Sequence, residues 1–125
     1  MSIDFGLIGA HISAEPISAP DIATAETGAV VLFDGIVRNH DSGRGVKLLT
    51  YTAHPSAQEE IERVAADVAA AFPAVRLWCA HRTGTLEIGE SAFIVAAASA
   101  HRKDAFEAAS TCADRVKAEV PIWKE

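Results

Sequence analysis

Two lysines lie near the end of the chain, and the spacing of the first places it in an apolar helical stripe. Apolar residues recur at helical spacing from Phe106 to Val120. Lys117 follows Phe106 by 11 residues, and at about 100° per residue it returns to within about 20° of that side chain. We therefore expect Lys117 on the buried side of a helix, where lost solvation favours its neutral, nucleophilic form. The alternative is a lysine that lies one turn from the helix end and extends its ammonium to water. Lys124 follows just beyond Pro121.

Two further groups of basic side chains lie where apolar strands are expected to end. The first is Arg38–His40, with Arg44 and Lys47 close behind. The second is His101 with Arg102, at the start of the last predicted helix. Backbone donors, the helix dipole and a guanidinium all favour an anion there, and phosphate fits best. The alternative for both groups is ordinary solvated residues of a loop or a helix cap.

Other kinds of site are poorly supported by the residues present. Cys79 and Cys112 lie 33 residues apart and form no Cys-x-x-Cys pair, so we expect small core residues rather than a redox or zinc motif. The sequence has no Gly-x-Ser-x-Gly elbow and no phosphate-binding glycine loop. The histidines lack the spacing of a metal site, and no metal or cofactor is expected. They are His11, His40, His54, His81 and His101.

Composition limits the class of protein. A chain of 125 residues, half of them hydrophobic, is expected to form one domain over residues 1–125. Its net charge of −6 argues against a general nucleic-acid or anionic-membrane binder. The N-terminus lacks the basic region of a secretory signal, and no apolar run approaches the ~20 residues of a membrane span. We expect a cytoplasmic protein.

The elements that must position these side chains alternate between strands and helices. The apolar run at 28–38 is typical of a central strand buried on both faces, and 46–54 is expected to be its paired strand. Hairpin-linked strands with helices between them predict an α+β domain, with a mostly antiparallel sheet and helices packed on it. The predicted strands are 3–12, 28–38, 46–54, 75–82 and 91–99, and the predicted helices are 18–27, 55–72 and 103–120.

Four segments, taken in order, resemble one known family. These are Gly28-Ala29-Val30-Val31-Leu32-Phe33-Asp34-Gly35-Ile36-Val37-Arg38-Asn39-His40, His81-Arg82-Thr83-Gly84-Thr85-Leu86-Glu87-Ile88-Gly89-Glu90, Ser99-Ala100-His101-Arg102-Lys103-Asp104-Ala105-Phe106, and Lys117 with Pro121-Ile122-Trp123-Lys124. Together they resemble the large, catalytic subunit of molybdopterin synthase. The stretch 52–57 departs from the family pattern, and Ile36 stands where relatives sometimes carry a basic residue.

The resemblance implies a hammerhead-like fold and a sulfur transferase of molybdenum cofactor biosynthesis. Such enzymes convert cyclic pyranopterin monophosphate to the dithiolene of molybdopterin. The sulfur arrives as a thiocarboxylate on the C-terminal Gly-Gly of a small ubiquitin-like partner. The resemblance also implies a homodimer that binds one small subunit at each end, as a heterotetramer.

The same resemblance assigns residues to roles. Lys117 and Lys124 are expected to be catalytic, with Lys117 beside the thiocarboxylate and Lys124 positioning substrate and tail. Dimer formation is expected to bring His101 and Arg102 of one chain near Lys117 of the other. The expected substrate-binding residues are Ile36, Val37, Arg38, His101, Arg102, Lys117, Lys124 and Glu125.

Two other functions fit parts of the sequence. The first is a non-catalytic α+β module that binds a small anion at His101 and Arg102. That module does not require a lysine in an apolar helical stripe, so Lys117 favours the enzyme. The second is a structural homo-oligomer without a site, which leaves the basic groups of an acidic chain unexplained.

Overall fold

The computed structural model describes residues 5–38 and 48–125, which form seven strands and two helices. In chain order these are β1 (Gly6–Ser13), β2 (Ala29–Ile36), β3 (Leu48–Ala53), α1 (Ala57–Ala71), β4 (Val75–Arg82), β5 (Gly84–Glu87), β6 (Ser91–Ser99), α2 (Arg102–Glu119) and β7 (Ile122–Lys124).

The strands form two sheets. The larger has four strands in the order β1-β4-β6-β2, with β1 parallel to β4 and the other pairs antiparallel. The smaller has three antiparallel strands in the order β5-β3-β7. The two helices pack on the larger sheet and on each other. The predicted single α+β domain with a mostly antiparallel sheet is confirmed.

The helices bury faces made largely of small side chains. The largest buried side chains of α1 are those of Ile61, Val64 and Val68, which recur at helical spacing. The buried residues of α2 are Ala105, Ala108, Ala109, Cys112 and Val116. Because alanine adds little bulk, α2 can pack closely on the face of β6 that carries Val95 and Ala97.

The opposite face of the larger sheet is covered by irregular chain. Ile22 is buried there against Trp78, and the guanidinium Nε of Arg76 donates to the Ile22 carbonyl at 2.8 Å. The predicted helix at 18–27 is wrong, because no helix forms in this segment. Local bonds replace it: the Asp21 carboxylate accepts from the Ala23 N–H, and the Thr24 N–H donates to the Thr27 hydroxyl.

Strand β2 is an edge strand and not the central strand that its apolar run predicted. Within the described residues its paired strand is β6, and the predicted pairing with 46–54 is wrong because β3 belongs to the other sheet. One face of β2 packs toward α2, whereas Val30 and Leu32 on the other face are 52% and 54% exposed. An apolar run indicates burial on both faces, and here the described residues leave one face uncovered.

The predicted core role of the two cysteines is confirmed. Cys79 and Cys112 are both buried and both free. The neighbouring Cys112 and burial together raise the pKa of the Cys79 thiol far above its ordinary value. Such thiols are poor nucleophiles. No helix in the described part of the chain is long and apolar enough to cross a membrane.

Candidate active site

A cavity of about 510 Å³ opens between the two sheets, beside the C-terminal end of α2. Both sheets and the last turn of α2 contribute to its wall. The described residues that line it are Phe33, Gly35, Ile36, Val37, Arg38, Leu49, Tyr51, His81, Ala92, Phe93, Val116, Lys117, Val120, Ile122, Trp123 and Lys124.

Lys117 lies in the last turn of α2 and lines this cavity. The predicted burial of its side chain is wrong, because Lys117 is exposed. The sequence periodicity placed Phe106 on the buried face, but Phe106 is 57% exposed and shares the open side of the helix with Lys117. Lys117 is therefore a solvent-accessible ammonium at a helix C-terminus, where the helix dipole favours a positive charge.

Strand β7 brings Lys124 to the same cavity. After Pro121 the chain turns back, and Lys124 pairs with Tyr51 of β3. Side chains of directly opposed residues in an antiparallel pair lie on the same face of the sheet. The Glu125 N–H donates to the Thr50 carbonyl at 2.8 Å and fixes the end of the strand. A three-residue strand is too short for its pattern to be recognised in the sequence, and β7 was not predicted.

The end of β2 carries the third cation of the cavity. Val37 is buried, and its backbone bonds to Glu90 and Gly89 through N–H···O distances of 3.0 and 2.8 Å. This anchoring presents the exposed side chains of Ile36 and Arg38 at the cavity wall. The predicted group continues to His40, Arg44 and Lys47, which lie outside the described residues.

The cations of the cavity have no carboxylate partners in the described part of the chain. Arg63, Arg82, Lys103 and Arg115 all form ion pairs. No such pair involves Arg38, Lys117 or Lys124, although the chain has a net charge of −6. Unpaired positive charges that converge on one cavity favour an anionic ligand.

His101, Arg102 and Glu125 do not line the cavity, although all three were predicted to bind substrate. Arg102 begins α2 and Lys117 lies in its last turn, so their backbones are about 22 Å apart at ~1.5 Å per residue. Glu125 is a carboxylate in an otherwise cationic region, and its Oε2 accepts from the Thr52 hydroxyl at 2.6 Å. Within one protomer, the predicted site is divided between two places.

An aromatic wall, which the sequence reasoning missed, completes the cavity. His81 stacks on Phe93 with ring centroids 5.3 Å apart, and Tyr51 meets the His81 ring edge-on at 5.0 Å. Phe33 continues the row against Phe93 at 5.8 Å. The signal in the sequence was a histidine that ends the apolar run of β4, which indicates a buried titratable group.

The electrostatics of the wall follow from burial beside cations. Burial is the main cause that lowers the pKa of His81, and the charge of Lys117 lowers it further. A hydrogen bond to the Arg82 carbonyl acts in the opposite direction. Burial also raises the pKa of Tyr51. Both side chains are therefore neutral near pH 7, and the cavity combines a neutral aromatic wall with a cationic rim.

Comparison with known proteins identifies relatives of this chain. The model of the family described as MoaE protein matches residues 10–119. The molybdopterin synthase catalytic subunit 1 of Mycobacterium tuberculosis is 36% identical over 120 residues, which cover 92% of this chain and 82% of the relative.

Solved structures agree with the sequence match. The structure of molybdopterin synthase from Staphylococcus aureus superposes with a TM-score of 0.83 and 34% identity, covering 90% of this chain and 86% of that one. A complex of subunits 1 and 2 of molybdopterin-converting factor from Helicobacter pylori superposes with a TM-score of 0.66 and 27% identity, covering 79% of this chain and 65% of that one.

Proposed function

The chain belongs to the MoaE protein family and is a molybdopterin synthase catalytic subunit, and we propose that its cationic cavity is where the enzyme transfers sulfur. One observation carries the assignment of the site: Arg38, Lys117 and Lys124 converge on one cavity without carboxylate partners among the described residues. A non-catalytic anion-binding module, the alternative function, does not fit membership of an enzyme family.

Both substrates of the proposed reaction carry negative charge. Cyclic pyranopterin monophosphate carries a phosphate, and the sulfur donor is the C-terminal thiocarboxylate of a small ubiquitin-like subunit that ends in Gly-Gly. The H. pylori structure, a complex of two subunits, supports a protein partner of this kind. A flat pterin also needs apolar contact, which the aromatic wall beside the cations offers.

We assign distinct roles to the cavity cations. The thiocarboxylate sulfur bonds to a carbon of the pterin substrate in place of an oxygen substituent, and water then attacks the acyl carbon, so that the acyl–sulfur bond breaks and the small subunit leaves as an ordinary carboxylate. The ammonium of Lys117 stabilises the negative charge that develops on the acyl oxygen during the attack by water. Its exposure favours this charged role over that of a desolvated neutral amine. Lys124 positions the tail and the substrate, and Arg38 binds phosphate or pterin. Ile36 and Val37 shape the wall that presents Arg38.

We propose that a second copy of the chain supplies His101 and Arg102. Strand β2 runs from Ala29, whose partner Ser99 lies just before His101, to Ile36 at the cavity. A two-fold axis that packs the exposed faces of two β2 strands antiparallel places the start of one strand opposite the end of the other. Each cavity then receives the basic pair of its partner, and the exposed Val30 and Leu32 are covered.

A cytoplasmic location is part of the same proposal. Cys79 and Cys112 lie together in the core as free thiols, the form that a reducing compartment maintains.

Reconstitution tests the proposed function. The protein is mixed with cyclic pyranopterin monophosphate and the thiocarboxylated small subunit, and product is measured by the fluorescence of its oxidised form. We expect dithiolene product with the thiocarboxylate and none with the same small subunit ending in an ordinary carboxylate. Absence of product, in an assay where an established catalytic subunit is active, would contradict the proposal.

A further inference from the structure

The His81 ring is held in a single orientation. Its Nδ1 lies 2.8 Å from the Arg82 carbonyl oxygen. A carbonyl oxygen only accepts, so Nδ1 must carry the proton of the neutral ring. Phe93 stacks on one face of the ring and Tyr51 meets it edge-on. In a neutral imidazole with this tautomer, Nε2 is a hydrogen-bond acceptor.

That acceptor has no hydrogen-bond partner in the described part of the chain. His81 is only 8% exposed, yet it lines the cavity. The Nε2 atom is not fully enclosed by protein, so a group in the cavity can reach it. The Nε2 atom is therefore a neutral hydrogen-bond acceptor in a cavity whose charged side chains, among the described residues, are all cations.

The charged groups around His81 come from separate elements. Lys117 faces the cavity from α2, Lys124 from β7 and Arg38 from the end of β2. Strand β3 contributes the Tyr51 phenol, and the β6 residues of the lining carry no charge. No carboxylate lines the cavity among the described residues. Lys117 lines the same cavity as His81, and its charge lowers the pKa of His81, so we assign it as the donor to Nε2.

We propose that His81 is a positioning residue whose Nε2 accepts a hydrogen bond from the Lys117 ammonium and holds it toward the acyl centre. This inference rests on the proposed function, since it deepens the role of Lys117 in sulfur transfer. The contact requires no proton transfer: His81 stays neutral and Lys117 stays charged. A flexible lysine side chain otherwise samples many rotamers at an exposed helix end, and a fixed acceptor reduces that freedom.

Protonation of His81 reverses the contact. Below the lowered pKa of His81, Nε2 becomes a donor and the ring carries a positive charge that repels Lys117. The turnover rate is therefore maximal at neutral pH, and it falls as the pH drops below the ordinary pKa range of histidine.

Two substitutions separate this role from ring packing. His81→Phe keeps an aromatic ring but removes the acceptor, so we expect kcat to fall at least tenfold with an unchanged KM for the pterin. His81→Gln offers an amide oxygen near the position of Nε2 and does not titrate. It should recover most of the lost kcat and lack the acidic decline caused by His81. A His81→Phe enzyme with the kcat and pH profile of the unchanged protein would overturn the inference.

A titration without turnover distinguishes failure of this inference from failure of the proposed function. The His81 imidazole is followed by NMR in the unchanged protein, in Lys117→Gln and in the matched control Lys103→Gln, whose lysine lies on α2 with a side chain 82% exposed. We expect the His81 pKa to rise in Lys117→Gln and to stay constant in Lys103→Gln. An unchanged pKa in Lys117→Gln would refute the contact even in an active enzyme. A wild-type protein without activity would refute the function and leave this titration decisive for His81.

Discussion

Replacing Lys117 by alanine is expected to lower molybdopterin formation by about 100- to 1,000-fold, the usual effect of losing one group that stabilises an oxyanion. Lys117 is the cation of the last turn of α2 at the cavity, and no ion pair occupies it within the described residues. Product formation at saturating small subunit and saturating pterin measures the effect on kcat. Both substrates should still bind, because Arg38 and Lys124 remain in place.

Two variants control this result. Lys117→Arg keeps the charge but replaces a compact ammonium with a planar guanidinium, so it should not restore activity. Lys124→Ala should reduce activity less than Lys117→Ala, because Lys124 is assigned to positioning. An active Lys117→Ala enzyme would remove Lys117 from the chemistry and leave an ordinary solvated lysine at a helix end.

Replacing Arg102 by alanine should weaken binding of the pterin monophosphate by at least about tenfold, since a charge-assisted contact contributes roughly 1.5–3 kcal/mol. Arg102 is exposed at the start of α2, and it has no ion pair among the described residues. Binding of the small subunit should hardly change. Titration calorimetry with each ligand separates the two affinities.

The neighbouring Lys103 provides a matched control for Arg102. It is an exposed cation one position along the same helix, already within 4.0 Å of Glu107. Lys103→Ala should leave the pterin affinity unchanged. Equal affinities in Arg102→Ala and the unchanged protein would exclude Arg102 from the site.

The elements whose apolar pattern agrees with their burial in the fold were predicted well. The predicted strands 75–82 and 91–99 coincide with β4 and β6, and α1 and α2 lie within one or two residues of the predicted helices. Both strands lie inside the larger sheet, and the alternating pattern of 75–82 and the apolar run of 91–99 each predicted a strand. Within the cavity, Lys117, Lys124 and Arg38 were named from their residue types and positions in the sequence, and the resemblance then assigned their roles.

The remaining features depend on packing between separate elements, which the residue pattern of one segment does not show. The helical period alone favoured Phe106 as the centre of the buried face of α2, but close packing on β6 selected the alanine face instead. The apolar run in β2 indicated burial on both faces, which residues 5–38 and 48–125 of one protomer do not supply. His81 lies in the site because it stacks on Phe93 and contacts Tyr51 edge-on, and both of these residues belong to other strands.

Mixed dimers test the central claim that each active site combines the cavity of one chain with His101 and Arg102 of another. Lys117→Ala and Arg102→Ala chains are co-expressed with different affinity tags, and dimers holding one of each are purified. By two-fold symmetry one site in such a dimer carries both changes and the other carries neither. We predict about half the wild-type activity per dimer at limiting pterin, well above either parent. A Leu32→Glu change in both chains should abolish this recovery by charging the proposed interface. Mixed dimers no more active than the mean of their parents would contradict the shared site.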